Sequence, residues 1–242
     1  MTSGILRRHY VTPTVLAAVL LALYAWVHTR TLDSIERRTL NADYLTTALV
    51  QHVRLTVVST LIVLVLAVGT GILLTRPAFR WLAPFATGTA NIGQATPAIG
   101  LLVLLSLWIG IGFWTAVIGL VAYSVLPVLR NTIVGIQQVD HSLVEAGRGI
   151  GMSSVAVLSR VELPLAVPVI LAGIRTALVL NVGVATLAAF VNAGGLGDMI
   201  VNGIKLNRTP VLVTGAIITA ALALLIDWLG AVIEDLFRPR GL

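Results

Sequence analysis

The feature that most limits this chain is the blocking of its apolar residues into runs of about 16 to 20, each long enough as a helix to cross ~30 Å of hydrocarbon. Amphipathic periodicity, the mark of a helix on a soluble core, is not what these runs show. Composition agrees, since 57% of the 242 residues are apolar and only 11% charged, a balance foreign to soluble domains of this size. Six spans follow, at roughly 11–28, 55–74, 86–109, 114–129, 165–190 and 211–231. The fold class is therefore all-α: a polytopic transmembrane helical bundle. There is no cysteine, which excludes disulfides and thiolate metal sites.

The formal charge of +6 would point a soluble protein toward nucleic acid. Here the arginines lie between the apolar runs, where they set topology and meet anionic headgroups. Arg7 and Arg8 precede the first run, but no small-x-small cleavage site follows Trp26 and His28, so a retained anchor is expected. With a cytoplasmic N-terminus, the inside segments collect Arg7, Arg8, Arg76, Arg80, Arg130, Arg148, Arg160, Arg238 and Arg240, nine of the sixteen basic residues. The outside segments collect six and Arg175 falls within a span, a bias that puts both termini in the cytoplasm. The expected organisation is an anchor helix and external segment over 1–50, a core over 51–235 that carries a cytoplasmic loop at 131–164, and a tail at 236–242.

That loop has a local pattern. Ser142-Leu143-Val144-Glu145 matches a capping box and predicts a helix start. Gly147, Gly149 and Gly151 follow, with Gly151 the expected terminator. Ser153 or Ser154 then caps a second helix, and Pro164 and Pro168 stand where the fifth span begins. The product is helix, glycine turn, helix, membrane.

These residues carry a resemblance. Glu145-Ala146-Gly147, three residues, Gly151, nine residues, then Val161-Glu162-Leu163-Pro164 resembles the loop of binding-protein-dependent ATP-binding-cassette importer permeases. The chain departs from that pattern at Gly147, where alanine is usual, and at Val161, where isoleucine is common; the spacing is kept. The resemblance implies the type I importer permease fold, named for the methionine-importer permease, with Ser142, Glu145, Ala146, Gly147, Gly151, Leu163 and Pro164 in the loop that docks on the ATPase. Three further stretches narrow it: Asn91-Ile92-Gly93-Gln94-Ala95-Thr96-Pro97, Leu126 to Thr132, and Gly173 to Thr176 with Ala193 to Asp198. They are similar to permeases of importers for glycine betaine, carnitine, choline and related osmoprotectants. The implied partners are a pair of ATPase subunits, a second permease copy or a paralogue, an extracytoplasmic binding protein and the lipid of the inner membrane. That binding protein would do most of the recognition, boxing the cation with aromatic faces.

The chain has no G-x-x-x-x-G-K-[ST] loop, and its one lysine, Lys205, is followed by Leu206, so ATP and Mg²⁺ are expected on the partner ATPase, and no cofactor, metal or catalytic residue on this chain. Gln94, Pro97, Asn181, Thr186, Gly194, Gly195 and Asp198 are the expected path or gate residues. Asn181 has two readings: a path position, because an amide near mid-membrane needs water or a partner, or an interhelical hydrogen bond. Pro97 predicts a kinked or broken helix, either structural or opening carbonyls to a cavity. For the Gly194 to Asp198 turn, a helix end and an external gate both stand. Arg175 and Asp227, charges within spans five and six, are expected to pair, with snorkelling to the interface as the alternative.

Other classes fit less well. An intramembrane enzyme needs convergent ionisable groups, whereas His9, His28, His52 and His141 are scattered. A proton-coupled carrier needs midplane ionisable groups and repeated span patterns, which are not found. An importer of another small solute, such as an amino acid, is the nearer alternative.

Overall fold

The computed structural model describes residues 2–237, with side chains over 10–236. Arg238, Arg240 and the side chains of Arg7 and Arg8, used above for topology, lie outside the described residues.

The helices are α1 (Thr2–His28), α2 (Ser34–Thr39), α3 (Ala42–Leu74), α4 (Ala83–Ala95), α5 (Ala98–Ile109), α6 (Phe113–Gln137), α7 (His141–Gly149), α8 (Ser154–Val157), α9 (Leu163–Ala185), α10 (Leu196–Lys205) and α11 (Thr209–Phe237). Five described segments are long and apolar enough to cross a membrane: Tyr10–His28 of α1, α3, α6, the run Ser154–Val191 that contains α9, and Thr209–Leu236 of α11. A sixth crossing is bent. The run expected as one span at 86–109 is two helices meeting at 99°, because Pro97 has no amide to donate and holds Thr96 extended at ψ 135°. α3 and α6 both run toward the end of the bundle that carries α7, so the α4–α5 pair returns the chain to the far end between them.

Three helices outrun their apolar stretches. α3 begins at Ala42, where the Asn41 side chain caps the Tyr44 amide at 2.8 Å, and its 33 residues extend about 50 Å. Much of the expected external segment is thus helix. α6 continues past Arg130 to Gln137 because Thr132, Ile133, Gly135 and Ile136 are buried, with the Ala166 carbonyl and Val169 side chain beside Gly135. The loop expected from 131 therefore starts as helix. α11 likewise carries helix to Phe237, into the expected tail.

The core is α3, α6 and α9 in close contact. Val63, Ala67, Leu74, Leu126, Val128, Leu129, Ile133 and Ala177 form one buried cluster; Leu55, Leu102, Ala116, Val117, Leu120, Ala185, Ala188 and Val191 form another toward the far end. Gly173 allows the approach of α9 to α6: a Cβ there would stand 2.7 Å from the Asn131 Cβ and 2.9 Å from the Pro127 carbonyl. α1 lies outside this core, with Val19, Leu23 and Trp26 against Val213 and Ile217 of α11.

A candidate coupling face and a candidate gate

At the loop end, α7 starts two residues earlier than the capping box predicts. The Asp140 carboxylate, not Ser142, caps it by accepting from the Ser142 amide at 2.9 Å. Those hydrogen bonds from the Ser142 amide and hydroxyl hold the Asp140 carboxyl below the usual carboxylate range. Aspartate caps as well as serine, and the earlier start adds residues to a short helix. Glu145 is thereby freed from a capping role and meets His141 at 3.3 Å on the exposed face.

α7 ends in a Schellman motif. The Met152 amide donates to the Gly147 carbonyl at 3.1 Å and the Gly151 amide to the Arg148 carbonyl at 2.9 Å, with Gly151 at φ +89°. Gly147 is helical, and a Cβ there would meet the Met152 sulfur and Val157 Cγ2 at 3.5 Å, an ordinary contact. The alanine usual at this position would fit. The Ser153 hydroxyl caps α8 by accepting from the Ala156 amide at 3.3 Å. A π-turn over Leu158–Glu162 follows, closed by the Leu163 amide on the Leu158 carbonyl; Pro164, with no N–H, leaves the Arg160 carbonyl without its helical donor.

This motif turns Val144, Gly147 and Val157 inward, while Leu143, Glu145, Ala146, Ile150 and Val155 face outward. Ile150 is 77% exposed and Val155 74%, an apolar face rimmed by charge. Leu163 packs beside Ile136, Ala166 and Ile170. Glu162, only 8% exposed, accepts from Arg76 Nη2 at 2.7 Å across 86 residues of sequence, and Arg76 also donates to the Thr75 hydroxyl.

At the far end α9 tightens into a 3-10 turn over Thr186–Val191. The Thr186 amide moves to the Gly183 carbonyl, and the Val182 carbonyl is met instead by Nε2 of the fully buried His52 at 3.0 Å. Facing a carbonyl, that nitrogen carries the hydrogen. Asn192, at φ +53°, ends the turn; Gly194 and Gly195 follow at φ +78° and +103°. Gly195 is the N-cap of α10, and its amide donates to Gln51 Oε1 at 3.0 Å. A side chain on Gly195 would be strained by φ and would meet His52 at 3.2 Å. The glycine turn thus both ends one helix and starts the next, held on α3 by Gln51. Half-buried Asp198 lies in the first turn of α10, where burial pushes its carboxyl up.

The expected path residues divide between helix pairs. Gln94 and exposed Pro97 sit at the α4–α5 corner, held along α6 by Gly93 at the Ala122 carbonyl. Thr186 stands on the 3-10 turn with its hydroxyl on the Gly183 carbonyl. Asn181 is fully buried, and its side-chain N–H donates to the Thr60 hydroxyl at 2.9 Å, the contact of the interhelical reading. Arg175 and Asp227 are paired through two bonds, Nε to Oδ1 at 2.6 Å and Nη2 to Oδ2 at 2.7 Å, with Glu234 at 3.5 Å as a third member the sequence did not single out. They line a groove of about 450 Å³ between α9 and α11. Snorkelling away from one another is not what these side chains do. Among the described residues, no group of three or more His, Asp or Glu side chains could hold a metal.

A family model described as the binding-protein-dependent transport system inner membrane component matches residues 67–239. The chain is 37% identical over 206 residues to the glycine betaine/carnitine/choline transport system permease protein OpuCD of Bacillus subtilis, covering 83% of this chain and 89% of that one. It is 40% identical to the choline transport system permease protein OpuBD of the same organism (82% and 88% covered) and 38% identical to the osmoprotectant import permease protein OsmW of Salmonella typhimurium (87% and 100%). Among solved structures, the MetNI methionine ABC transporter in inward-facing conformations superposes with a TM-score of 0.70 at 25% identity over 81% of this chain and 96% of that one. An amino acid ABC transporter matches with a TM-score of 0.68 at 19% identity over 85% and 99%, which speaks for the fold alone.

Proposed function

Since the chain belongs to the family of binding-protein-dependent inner-membrane transport components and is the permease subunit of an ATP-binding-cassette importer, we propose that its solutes are quaternary-ammonium osmoprotectants: glycine betaine, choline or carnitine. The relatives named for these solutes support the choice over the amino-acid alternative, for which only the structural neighbours speak. The chain is non-catalytic. ATP and Mg²⁺ belong to two ATPase subunits that dock on α7, and a second permease copy or paralogue completes the membrane portion. The α7 end is cytoplasmic, with both termini on that side, and the far end receives the loaded binding protein.

The observation that carries this reading is the α7–Gly151–α8 unit: a rigidly terminated helix whose outward face, Leu143, Glu145, Ala146 and Ile150, is apolar with charge beside it. Such a face suits a groove on a moving partner better than bulk water. ATP-driven closure of the ATPase pair would displace α7, and the helices joined to it would tilt about a path whose far end is closed by the Gly194–Gly195 turn. The α4–α5 corner at Pro97 and the Thr186 turn are the places where non-helical backbone could face the solute.

The test is growth of a strain lacking osmoprotectant uptake at high salt, supplied with this chain, its ATPase and its binding protein. Rescue by glycine betaine, choline or carnitine supports the assignment. Rescue by none of the three, alongside restored ATP-dependent uptake of an amino acid, would overturn the solute class and keep the fold.

A further inference from the structure

We propose that the Arg76–Glu162 ion pair is a positioning strut that makes α3 follow the coupling loop. The inference rests on the importer reading above and goes beyond it to how motion crosses the membrane.

Glu162 closes the π-turn that joins α8 to α9, at the point where the loop enters the membrane helix. Arg76 lies two residues beyond the end of α3. Its guanidinium bonds Glu162 at 2.7 Å and is itself steadied by the Thr75 hydroxyl, at 3.1 Å from Nε and 2.8 Å from Nη2. Glu162 is 8% exposed, and a charge-assisted bond shielded from water in this way transmits force with little slack and is costly to lose. At its other end the same α3 holds the far-end turn, through Gln51 Oε1 on the Gly195 amide and His52 on the Val182 carbonyl. Midway, Thr60 meets Asn181.

α3 is therefore tied to one continuous stretch of chain, from Glu162 to Gly195, at both ends and in the middle. Two helices fastened this way move as one body, and a displacement of α7 reaches the glycine turn without needing a flexible relay. The Arg76–Glu162 bond is the one tie in this set that joins α3 to the loop. Cutting it should leave the helix pair intact and remove the direct link from the loop to α3, with α9 still joined to the loop through the chain.

The chain has no cysteine, so Thr186→Cys, close to isosteric, gives a single labelling site on the far-end turn. The experiment compares the assembled complex, with its ATPase, in wild-type, Glu162→Gln, Arg76→Gln and Arg76→Glu/Glu162→Arg backgrounds. It reads ATP hydrolysis and the ATP-dependent change in maleimide labelling at Thr186→Cys. The expected result is continued hydrolysis with the labelling change reduced about tenfold in either single variant, the scale of a lost charged hydrogen bond, and largely restored by the exchange. If Glu162→Gln does not assemble, Arg76→Gln carries the same test from the more exposed partner. A full labelling change in an assembled single variant overturns the strut, as does hydrolysis and labelling falling in equal proportion, the mark of a merely structural bond. Absence of any ATP-dependent change in the wild-type complex would instead overturn the reading of the far-end turn as a gate. Solute identity does not enter.

Discussion

Replacing Gly151 separates the shape of the coupling loop from its chemistry. A Cβ at Gly151 would meet no atom within 4 Å, so the cost of Gly151→Ala is not a clash with neighbours but the left-handed backbone at φ +89°. For an L-residue that cost is about 1–2 kcal/mol, a factor of about 5–30 in the population of the terminated loop. Gly147→Ala is the control of opposite sign: the position is helical, the methyl group enters ordinary contact with Met152 and Val157, and helix propensity improves by up to about 1 kcal/mol. If the ATPase binds only the terminated loop, its apparent affinity falls with that population. Titrating the ATPase subunit onto reconstituted permease should show weakening of up to about 5–30-fold for Gly151→Ala, less for Gly151→Asn, and none for Gly147→Ala. Equal affinity for wild type and Gly151→Ala, or an equal loss in Gly147→Ala, would refute the reasoning.

Three further outcomes are expected. Arg175→Asp or Asp227→Arg alone should lower the thermal stability of the permease, and the two together should recover most of it; failure of the exchange to recover would mean that the pair is not what stabilises α9 on α11. Asn181→Ala should cost about 1–3 kcal/mol of stability through the lost Thr60 bond and leave the KM for solute unchanged, whereas a raised KM at unchanged stability would return the amide to the path. Because burial raises the folded-state pKa of Asp198 above 3.8, its ionised form costs stability as pH rises through and above that value, and the cost is absent below it. Asp198→Asn should accordingly melt higher than wild type at pH 7 and lose that advantage below about pH 3.8; an equal difference at both would contradict the sign.

What the sequence made legible was local chemistry and the cost of polar groups in lipid. The spans follow from apolar run length, the break at Pro97 from a missing amide, and the Gly151 terminator from glycine spacing. Arg175 and Asp227 were conspicuous because charges inside apolar helices need partners. The α7 cap was misplaced by two residues because Asp140 and Ser142 are both competent caps and only packing of Val144 and Gly147 selects the register. Arg76 with Glu162, and His52 with Val182, were invisible: each joins groups 86 and 130 residues apart, and no periodicity carries such a distance. Glu162 stands inside the loop motif, and a lone acid beside an apolar run is the one local signal that marks it. Asn181 was open to two readings because only the facing helix decides whether an amide meets water or a hydroxyl.

The most direct measurement of the central claim is uptake of labelled glycine betaine, choline and carnitine into proteoliposomes holding this chain with its ATPase, any second permease and the cognate binding protein. Accumulation of at least one of them that requires both ATP and binding protein is the predicted result. No accumulation of any of the three, in vesicles whose ATPase is assembled and stimulated by loaded binding protein, would contradict the osmoprotectant assignment.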